Sequence, residues 1–480
     1  MALEKKLAGI VGAANVITKE SALDQYSRDM SFVNQVKPDC AVKPANADQI
    51  FKIVNLAKET KTPLVPVSSG APHFRGDTVP GIGGAVVVDM SGMKKIIKIT
   101  RHNRVAMVEP GVTFGELIPA LAKEGLRMNM PLLPRATKTI VGSMLEREPV
   151  LMPKYQWDIS DPICCVEVVF GCGETFRTGQ AAGPGTIEEQ WKAGGVQKTP
   201  YGPGPAQWHR LIQGSQGTMG IVTWASLRCE LIPELEEPFV AGSDDLARLT
   251  ELTHWLIRMR MVNECFIVNN TNLAAIMGVK KEGLPQWILF YTVAGYHYSP
   301  EERVRTQLGA ITDVCKKASV DPKKAVGKIS AEAILKTVQQ PSPEPYWKLS
   351  AKGACQDIFF ITIYDKLESQ IAVMRKTAGE MGFAESEIGI YLQPIVQGIN
   401  LHCEFNIFYN PGDKNEAKKV KALLEKVTPA LMADGAFFSR PYDTVAREIM
   451  NSNASQVYAL KKVKSVLDPN NIMNPGKLCF

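Results

Sequence analysis

The hydrophobic pattern of the chain changes after Pro233, where the segment PELEEP separates two differently organised stretches. Before it, short apolar strands alternate with helical segments and glycine-rich turns, which predicts a first α+β domain over residues 1–234. After it, strands alternate with long helices and return antiparallel, which predicts a split-βαβ sheet with helices on one face over residues 235–440. Residues 441–480 end in DPNNIMNPGKLCF, which is too rich in Pro, Asn and Gly to form its own core. We therefore expect this tail to pack back on the first domain.

Composition limits the class of protein without giving a function. The chain has 480 residues, enough for two or three domains, and a net charge of +6. Its Lys and Arg residues are spread along the chain, so no nucleic-acid-binding surface is expected. Ten cysteines without a CxxC pair indicate a reduced, cytoplasmic protein with no bound metal. The first residues lack a signal-peptide core, and no apolar run is long enough for a transmembrane segment.

The familiar nucleotide-binding fingerprints GxGxxG and GxxxxGK[ST] are missing from the sequence, but two loops of small residues suit an anion. After the predicted strand PLVPV the chain continues with Ser68, Ser69, Gly70, Ala71 and Pro72, and Gly76 follows. Such a loop exposes backbone N–H groups and hydroxyls to an anion, although ordinary turns share this composition. A second turn, QGSQGTMG, carries glycines at 214, 217 and 220. Two such turns in one domain favour a ligand with a long phosphate-bearing body.

Several segments together resemble a known family, the FAD-linked oxidases of the vanillyl-alcohol-oxidase type. They are PLVPVSSG, VVVDMSGMKKIIKI with VAMVEPGVTFGEL, TIVGSMLE, VEVVFGCGETFRTG, YGPGPAQWHRLIQGSQGTMGIVT and LDPNNIMNPGKL. The resemblance covers nearly the whole chain, and the segments are specific only in combination. It implies an α+β fold with a PCMH-type FAD-binding domain of two α+β subdomains. A ferredoxin-like (split βαβ) cap domain would cover the flavin ring and shape the substrate site.

The same resemblance implies which residues hold FAD. The pyrophosphate would lie against Ser68, Ser69, Gly70, Ala71 and Pro72, flanked by Pro66 and Gly76. Thr139, Gly142 and Ser143 would line the flavin, Gly220 and Ile221 the adenosine half, and Lys477 would close the site. Pro134, Arg135 and Lys138 would sit near the flavin ring, where a cation stabilises negative charge on the reduced ring. The alternative for Arg135 and Lys138 is an ordinary loop surface.

Covalent attachment of the flavin occurs in parts of this family, often through a histidine. His73 lies in the corresponding loop, GAPHFRG, but this loop does not match the attachment pattern cleanly. We therefore expect non-covalent FAD, with His73 as an ordinary loop residue.

The segment INLHCEFNIFY, residues 399–409, alternates apolar and polar residues and predicts a half-buried strand. Its polar positions are Asn400, His402, Glu404 and Asn406. The preceding segment IGIYLQPIV would form a two-residue hairpin with it, pairing Gln393 with His402 and Tyr391 with Glu404. Pro394 inside the first strand favours a bulge. The polar face is either the wall of an active site or an ordinary solvated face.

Two branches of the family place different residues here. The 2-hydroxyacid dehydrogenase branch carries HxGDGNLHP and a later GEHGIG. This chain keeps Asn400, Leu401 and His402, but Ile395 stands at the first histidine, and Ser439, Arg440, Pro441 and Tyr442 stand at GEHG. The metal ligands and the proton-abstracting histidine of that branch would then be lost. The phenol- and alcohol-oxidising branch places an arginine and a tyrosine at about this point to bind an anionic oxygen, which matches Arg440 and Tyr442.

We therefore predict an FAD-dependent oxidase or dehydrogenase that moves a hydride from a CH–OH or benzylic C–H group of a small alcohol, phenolic or acid substrate to the flavin. Arg440 and Tyr442 would anchor an oxyanion, and His402 would act as base or hydrogen-bond partner, oriented by Glu404 beside Tyr391. Electrons would pass to an external acceptor such as an iron–sulfur or electron-transferring flavoprotein partner. The alternatives are a D-lactate- or glycolate-type 2-hydroxyacid dehydrogenase and a non-catalytic flavin-binding subunit of an electron-transfer complex. Whether the chain forms a homo-oligomer stays open.

Overall fold

The computed structural model describes residues 2–204 and 208–480. Residues 205–207, within the segment YGPGPAQWHR, lie outside the described residues. The strands are β1 Val16–Ile17, β2 Cys40–Val42, β3 Leu64–Val67, β4 Val86–Asp89, β5 Ile96–Thr100, β6 Val105–Val108, β7 Leu126–Met128, β8 Ile163–Phe170, β9 Thr175–Arg177, β10 Gly220–Leu231, β11 Leu235–Ser243, β12 Cys265–Asn269, β13 Trp287–Gly295, β14 Ala325–Val326, β15 Ile329–Ser330, β16 Ala354–Thr362, β17 Ile388–Ile395 and β18 Asn400–Tyr409.

The helices are α1 Ala2–Val11, α2 Glu20–Ser27, α3 Ala47–Thr60, α4 Phe114–Lys123, α5 Ile140–Leu145, α6 Ile187–Ala193, α7 His209–Ile212, α8 Leu246–Arg258, α9 Asn270–Met277, α10 Pro300–Ala318, α11 Ala331–Val338, α12 Trp347–Ser350, α13 Tyr364–Glu380, α14 Lys414–Ala433, α15 Ala446–Met450 and α16 Ala454–Leu467. None of the described helices is long and apolar enough to cross a membrane.

The first sheet, in the order β1-β2-β4-β3, positions the small-residue loop. Asn46 caps α3 by accepting a hydrogen bond from the N–H of Gln49 at 3.0 Å, and Ile50 and Ile53 on its inner stripe are fully buried against the sheet. The helix returns the chain to β3, which runs parallel to β4. The small-residue loop therefore leaves the carboxyl end of a parallel strand, a common place for a ligand.

The second sheet has the order β5-β6-β10-β8-β9, with β7 also pairing with β10, and all of its pairs are antiparallel. The long central strand β10 starts at Gly220, so the glycine turn before it is fixed at the edge of this sheet. The predicted hairpin joins β8 and β9, and Gly173 in its turn has a φ of +88° that favours glycine.

The third sheet is built from two split-βαβ units, as the sequence predicts. Its order is β11-β13-β12-β17-β18-β16, and every pair is antiparallel. Helix α8 connects β11 to β12 with β13 between them, and α13 connects β16 to β17 with β18 between them. Helices α8, α10, α13 and α14 cover one face in a single apolar core. The other face packs on Leu132 and Leu133 of the N-terminal half.

The hairpin of β17 and β18 has the predicted register, with Tyr391 opposite Glu404 and Gln393 opposite His402. The predicted bulge at Pro394 is wrong, since Pro394 pairs in register with Leu401. Proline is tolerated there because β12 pairs with β17 only at Tyr391 and Leu392, so no strand needs the missing N–H.

Two further details of this hairpin differ from the sequence-based expectation. The connection is a tight 3-10 turn over Val396–Gly398 rather than a two-residue loop, and Ile399 beside it is 69% exposed. The strand β18 is not half-buried, because His402 and Glu404 on its polar face are only 3% and 6% exposed. A polar strand face that is buried needs partners inside the protein or in a cavity.

The C-terminal tail runs beside β3 and is tied down by one buried carboxylate. Asp468 accepts hydrogen bonds from Nζ of Lys464 at 2.6 Å and from the backbone N–H groups of Ile472 and Met473 at 3.0 and 2.7 Å. The tail then bonds to Leu64 of β3, and Nδ2 of Asn474 donates to the carbonyl of Gln216 at 2.7 Å. The tail thus connects the small-residue loop region with the glycine turn.

Replacing Asp468 by alanine should destabilise the protein by about 3–5 kcal/mol, because it leaves the buried ammonium of Lys464 without its counter-ion and two backbone N–H groups without their acceptor. The free energy of unfolding in urea measures this loss. Asp48 and Lys52 form a pair with the same i,i+4 spacing and the same 2.6 Å distance, but both side chains are more than half exposed. Asp48→Ala should therefore cost about 0–1 kcal/mol. Equal losses in the two variants would contradict the assigned role of Asp468.

Candidate active site

A large cavity lies between the small-residue loop, the glycine turn and the third sheet, with an empty space of about 1720 Å³ that includes the solvent at its mouth. Most of the residues singled out in the sequence line it. They are Pro66, Ser68, Ser69, Pro134, Arg135, Gly142, Gly220 and Ile221 from the N-terminal half, and Tyr391, Glu404, Arg440 and Tyr442 from the other side. Residues more than 300 positions apart in the sequence therefore meet around one space.

Hydroxyl groups form the floor of the small-residue loop. The Oγ atoms of Ser68 and Ser69 each lie 2.9 Å from Oγ1 of Thr139, and the N–H of Thr139 donates to Ser69 Oγ at 3.1 Å. A Cβ atom at Gly142 would come within 2.9 Å of Thr139 Oγ1 and 3.2 Å of Ser68 Oγ. A ligand can therefore reach this polar floor because position 142 has no side chain.

The glycine turn before β10 packs directly on the end of β3. Gly217 has a φ of +71°, and a Cβ atom there would lie 2.3 Å from Cγ of Pro66. Gly220 and Ile221 follow at the start of β10 and reach the cavity. The two loops that the sequence singles out therefore form one continuous surface.

Arg135 is a buried cation with no acidic partner among the described residues. Its side chain, in a residue only 4% exposed, donates from Nη2 to the carbonyl of Gly70 at 3.3 Å and lies 5.2 Å from the ring centre of Phe74. Its Nη1 is buried without a hydrogen-bond partner, and burial lowers the pKa of the group. A buried N–H donor left unpaired is costly, so Nη1 of Arg135 is free to donate to an acceptor on a bound molecule.

The other residues predicted to hold the cofactor lie beside the lining rather than in it. Gly70, Ala71 and Pro72 form the exposed outer part of the loop. Gly76 donates its N–H to Oδ2 of Asp29 at 2.6 Å, and Ser143 donates to Glu148. Lys477 is half-buried near Asp77, and its partial burial lowers its pKa. These residues shape the loop and its surroundings, while His73, Phe74 and Arg75 replace them in the wall.

The opposite wall carries a lysine clamped between two carboxylates. Nζ of Lys348 lies 2.7 Å from Oδ2 of Asp357 and 2.6 Å from Oε1 of Glu404. Asp357 on β16 stands opposite Asn406 on β18. Nδ2 of Asn406 donates to Oδ1 of Asp357 and to Oε1 of Glu404, each at 2.7 Å. We call Lys348, Asp357, Glu404 and Asn406 the Lys348 cluster.

The Lys348 cluster fixes the charge of its members. Burial alone would raise the pKa of Glu404, but Lys348 and His402 hold it well below its usual range. Burial would likewise lower the pKa of Lys348, but Asp357 and Glu404 raise it well above its usual range. The ammonium and the Glu404 carboxylate therefore both stay ionised near neutral pH.

His402 stands behind Glu404. Its Nε2 lies 3.2 Å from Oε2 of Glu404, and its ring centre lies 5.9 Å from that of Phe359 and 5.8 Å from that of Tyr391. Burial lowers the pKa of His402, although the contact with Glu404 opposes this. Of this pair, Glu404 is the member that lines the cavity.

Arg440 and Tyr442 reach the cavity from the segment after α14. Arg440 is 5% exposed, and its guanidinium lies 4.3 Å from the ring centre of Phe359. Its Nη1 makes one long contact, 3.5 Å, to the carbonyl of Glu146, and no ion pair of Arg440 occurs among the described residues. Burial raises the pKa of Tyr442, so its hydroxyl keeps its proton and can donate. Arg440 and Tyr442 thus present a cation and a neutral donor to the same space.

Arg75, in contrast, is neutralised by protein groups. It forms ion pairs with Glu146 at 3.4 Å and Glu148 at 3.1 Å, and Lys138 shares both acids at 3.1 and 2.8 Å. Its guanidinium lies 4.8 Å from the ring centre of Phe359, which also contacts Arg440. The cations of this region therefore differ in their ion pairs, since Arg75 and Lys138 have acidic partners and Arg440 has none among the described residues.

Sequence reasoning missed Lys348, Asp357, Arg75, Glu146 and Glu148. Three of them had a usable signal, because Arg75 follows the small-residue loop and the two glutamates end and follow the segment TIVGSMLE. Lys348 and Asp357 had none. Only the short helix α12 and the register of β16 against β18 bring them to Glu404.

His73 should make the stability of the protein pH-dependent. Burial in the cavity wall, with Arg135 nearby, lowers the pKa of His73 from 6.5 to about 4. The folded protein then holds a neutral ring, so this stability is complete above about pH 6.5 and is lost as the pH falls toward about 4. Urea unfolding of the wild type should lose about 3 kcal/mol more over this range than that of His73→Gln, which does not titrate. Parallel pH profiles would show that His73 is not held neutral.

The N-terminal side of the cavity fits an FAD molecule. The loop and the glycine turn offer backbone N–H groups and hydroxyls of the kind that bind a pyrophosphate. The unpaired Nη1 of Arg135 gives a donor for a carbonyl or an anionic atom of the flavin. Among the described residues no group of three His, Cys, Asp or Glu is arranged to hold a metal ion.

Comparison with known proteins agrees with this fit. Residues 38–179 match a family model described as an FAD binding domain, and residues 447–478 match the C-terminal domain of FAD linked oxidases. The chain is 25% identical to the glycolate oxidase subunit GlcD of Bacillus subtilis, covering 99% of this chain and 96% of that protein. It is 23% identical to the 4-cresol dehydrogenase [hydroxylating] flavoprotein subunit of Pseudomonas putida, covering 98% and 94%.

A solved structure gives the fold independently. The crystal structure of p-cresol methylhydroxylase with substrate bound superimposes with a TM-score of 0.86 at 20% identity, covering 100% of this chain and 96% of that one. The matches at both ends of the chain, the relatives aligned over nearly its whole length and the fitting cavity lead to one conclusion: this protein is a flavoprotein that uses FAD, with an FAD binding domain, the C-terminal domain of FAD linked oxidases and a PCMH-type fold.

Proposed function

We propose that this protein oxidises a small aromatic substrate that binds as an oxyanion at Arg440, and passes the electrons to an external partner. One observation carries the proposal. Arg440 is a nearly fully buried cation in the wall of the FAD cavity and has no ion pair among the described residues. A buried charge without a partner is costly, and an anionic ligand removes that cost.

The walls around Arg440 favour an aromatic body for this anion. The rings of Phe74, Tyr346, Trp347, Tyr391 and Tyr442 all line the cavity. Such rings supply large apolar surfaces and bind other rings by offset or edge contacts. A small aliphatic 2-hydroxyacid would leave most of this surface unused.

The residues at the site have different roles. FAD, when bound, accepts a hydride from a substrate C–H bond. Arg440 and Tyr442 hold the substrate oxygen, with the guanidinium giving two parallel N–H donors and the tyrosine hydroxyl a third. Holding that oxygen as an anion raises the electron density of the ring, which assists the departure of a hydride from an attached carbon. Burial of Arg440 and Tyr442 shields these contacts from water and strengthens them.

The base predicted at His402 would act through its neighbour. Because Glu404 lies between His402 and the cavity, Glu404 is the member of the pair that would meet the substrate, as an ionised hydrogen-bond acceptor. His402 then serves to orient this carboxylate and to share its charge. This reverses the order in which the sequence suggests the two residues act.

The names of the relatives support one further part of the proposal, the external electron acceptor. One is named as a 4-cresol dehydrogenase flavoprotein subunit and another as a glycolate oxidase subunit, and both names describe one part of a larger assembly. An external protein that takes the electrons, such as an iron–sulfur or electron-transferring flavoprotein, fits this pattern. We propose non-covalent FAD, with His73 in the wall but unlinked.

The test is anaerobic reduction of the flavin by three candidate substrates. We expect 4-cresol to bleach the visible flavin absorbance, and glycolate and D-lactate to leave it unchanged. Bleaching by glycolate or D-lactate alone would establish the 2-hydroxyacid alternative instead. A flavin that none of these or related phenols, alcohols and acids reduces would favour a non-catalytic flavin-binding subunit.

A further inference from the structure

The Lys348 cluster has hydrogen-bonding capacity that its internal contacts leave unused. An ammonium group has three N–H donors, and Lys348 gives one to Asp357 and one to Glu404. An ionised carboxylate has about four acceptor positions. Three acceptor positions of Glu404 are occupied by contacts with Lys348, Asn406 and His402. Among the hydrogen bonds of the described residues, one donor of Lys348 and one acceptor position of Glu404 thus remain, and both residues line the cavity.

The charges of the cluster decide which chemical group fits this remaining pair. The cluster carries one positive and two negative charges, so an anion would be repelled by Asp357 and Glu404, whereas a cation would pair with a carboxylate and leave the free N–H donor of Lys348 without an acceptor. An apolar group would cover the donor and the acceptor without pairing either. A neutral hydroxyl satisfies both, because it accepts from the ammonium and donates to the carboxylate.

This position is separate from the oxyanion site. Arg440 lines the same cavity but forms no ion pair with Glu404 or Asp357 among the described residues. Arg440 and Tyr442 present only donors to an anion, whereas the Lys348 cluster presents one donor and one acceptor side by side. The cavity therefore has two polar sites with different preferences, one for an anion and one for a neutral hydroxyl.

We propose that Lys348 and Glu404 form a specificity-determining subsite for a neutral hydroxyl group of the substrate, distinct from the oxyanion site at Arg440. The choice of an aromatic ligand rests on the proposed function. The preference for a hydroxyl group does not rest on the proposed function, since it follows from the Lys348 cluster alone. The subsite gives an enzyme of this kind a way to choose between ring compounds that differ only in one alcohol group.

Two neutral ring compounds test the hydroxyl subsite, because neither of them can bind as an oxyanion at Arg440. The compounds 4-methoxybenzyl alcohol and 4-methylanisole share a ring and a methyl ether, cannot ionise to an oxyanion at the ring, and differ by one hydroxyl. Their binding to the flavin-loaded protein is measured from the perturbation of the flavin absorbance. We expect the wild type to bind the alcohol at least about tenfold more tightly, as for a hydrogen bond to a charged group.

Two variants remove the hydroxyl site in different ways. The double variant Lys348→Met/Asp357→Asn removes one positive and one negative charge together, so the net charge of the cluster stays the same and Glu404 keeps its contact with His402. Glu404→Gln replaces the charged acceptor by a neutral amide of the same shape. We expect both to lose most of the preference for the alcohol, and Arg440→Lys to retain it.

The outcome separates this inference from the proposed function, because neither compound carries the oxyanion. Retained flavin absorbance and an unchanged unfolding midpoint confirm that each variant is folded. A preference for the alcohol that persists in both variants would overturn the inference. So would an equal loss of affinity for both compounds, because it would report a damaged cavity wall rather than lost recognition of the hydroxyl.

Discussion

Replacing Arg440 by methionine is expected to lower kcat/KM for an ionised phenol about 10²–10³-fold, equivalent to about 3–4 kcal/mol, while the protein keeps its FAD. Arg440, like Arg135, is a buried cation without an acidic partner among the described residues, so an oxyanion bound at Arg440 would lose its charged donor. Methionine has an unbranched side chain that still covers the ring of Phe359. Anaerobic stopped-flow reduction of the flavin measures the loss directly.

Three controls define the Arg440 result. Arg440→Lys keeps the charge without the planar fork, so its activity should lie between those of the wild type and Arg440→Met. Binding of 4-methylanisole, whose oxygen does not ionise, should hardly change. Arg305→Met removes an arginine whose side chain is 80% exposed on α10, and it should leave both measurements unchanged. An Arg440→Met enzyme that reduces its flavin with phenols as fast as the wild type would contradict the assigned role.

A leucine at position 142 should abolish FAD binding. Even the Cβ atom of a side chain there would come within 2.9 Å of Thr139 Oγ1 and 3.2 Å of Ser68 Oγ, and the rest of leucine would extend into the cavity. Overpacking of this kind costs about 1–3 kcal/mol even where the surroundings adjust, and a cofactor that needs the same space adds to the cost. We expect Gly142→Leu to purify without the visible absorbance of flavin and to retain little FAD after dialysis.

The matched control for this variant is Gly309→Leu. Gly309 lies on the exposed side of α10, and no atom comes within 4 Å of a Cβ built there. This variant should keep its FAD and its unfolding midpoint. If Gly142→Leu binds FAD as the wild type does, the cofactor does not lie along the floor formed by Ser68, Ser69 and Thr139.

The register of the hairpin around Gln397 could be predicted from the sequence, because the apolar alternation and the turn both constrain which residues face each other. The bulge predicted at Pro394 is wrong because the sequence does not show which strands lie beside it. Whether a proline disrupts a strand depends on whether a neighbour needs its N–H, and β12 ends its pairing before that point. Strand order is a property of the tertiary fold that the local pattern does not carry.

Burial of the polar face of β18 could not be predicted for a similar reason. A period of two shows that one face is apolar and the other polar, but polar faces look the same whether water or protein covers them. Glu404 and His402 proved to be covered, and the cover includes Lys348 from a helix 54 and 56 positions earlier in the chain. No local feature of the segment YWKLS points to such a partner.

For Arg440, the sequence predicts the position but not the absence of an acidic partner. Its position near the substrate oxygen follows from the resemblance of SRPY to the phenol-oxidising branch, without any structure. The absence of an acidic partner for Arg440 does not follow from the sequence. Four other cations near the cavity lie beside carboxylates, namely Arg75, Lys138, Lys348 and Lys477. The partner of each cation is set by tertiary packing of residues far apart in the sequence, so the distinction between these cations appears only in three dimensions.

The most direct test of an oxyanion site at Arg440 is a crystal structure of the flavin-loaded protein with 4-bromophenol, which has no para C–H bond to oxidise and whose bromine fixes its orientation. The phenolic oxygen should lie at hydrogen-bond distance, about 3 Å, from both the guanidinium of Arg440 and the hydroxyl of Tyr442. A phenol whose oxygen points to the Lys348 cluster, with Arg440 still unpaired, would contradict the account.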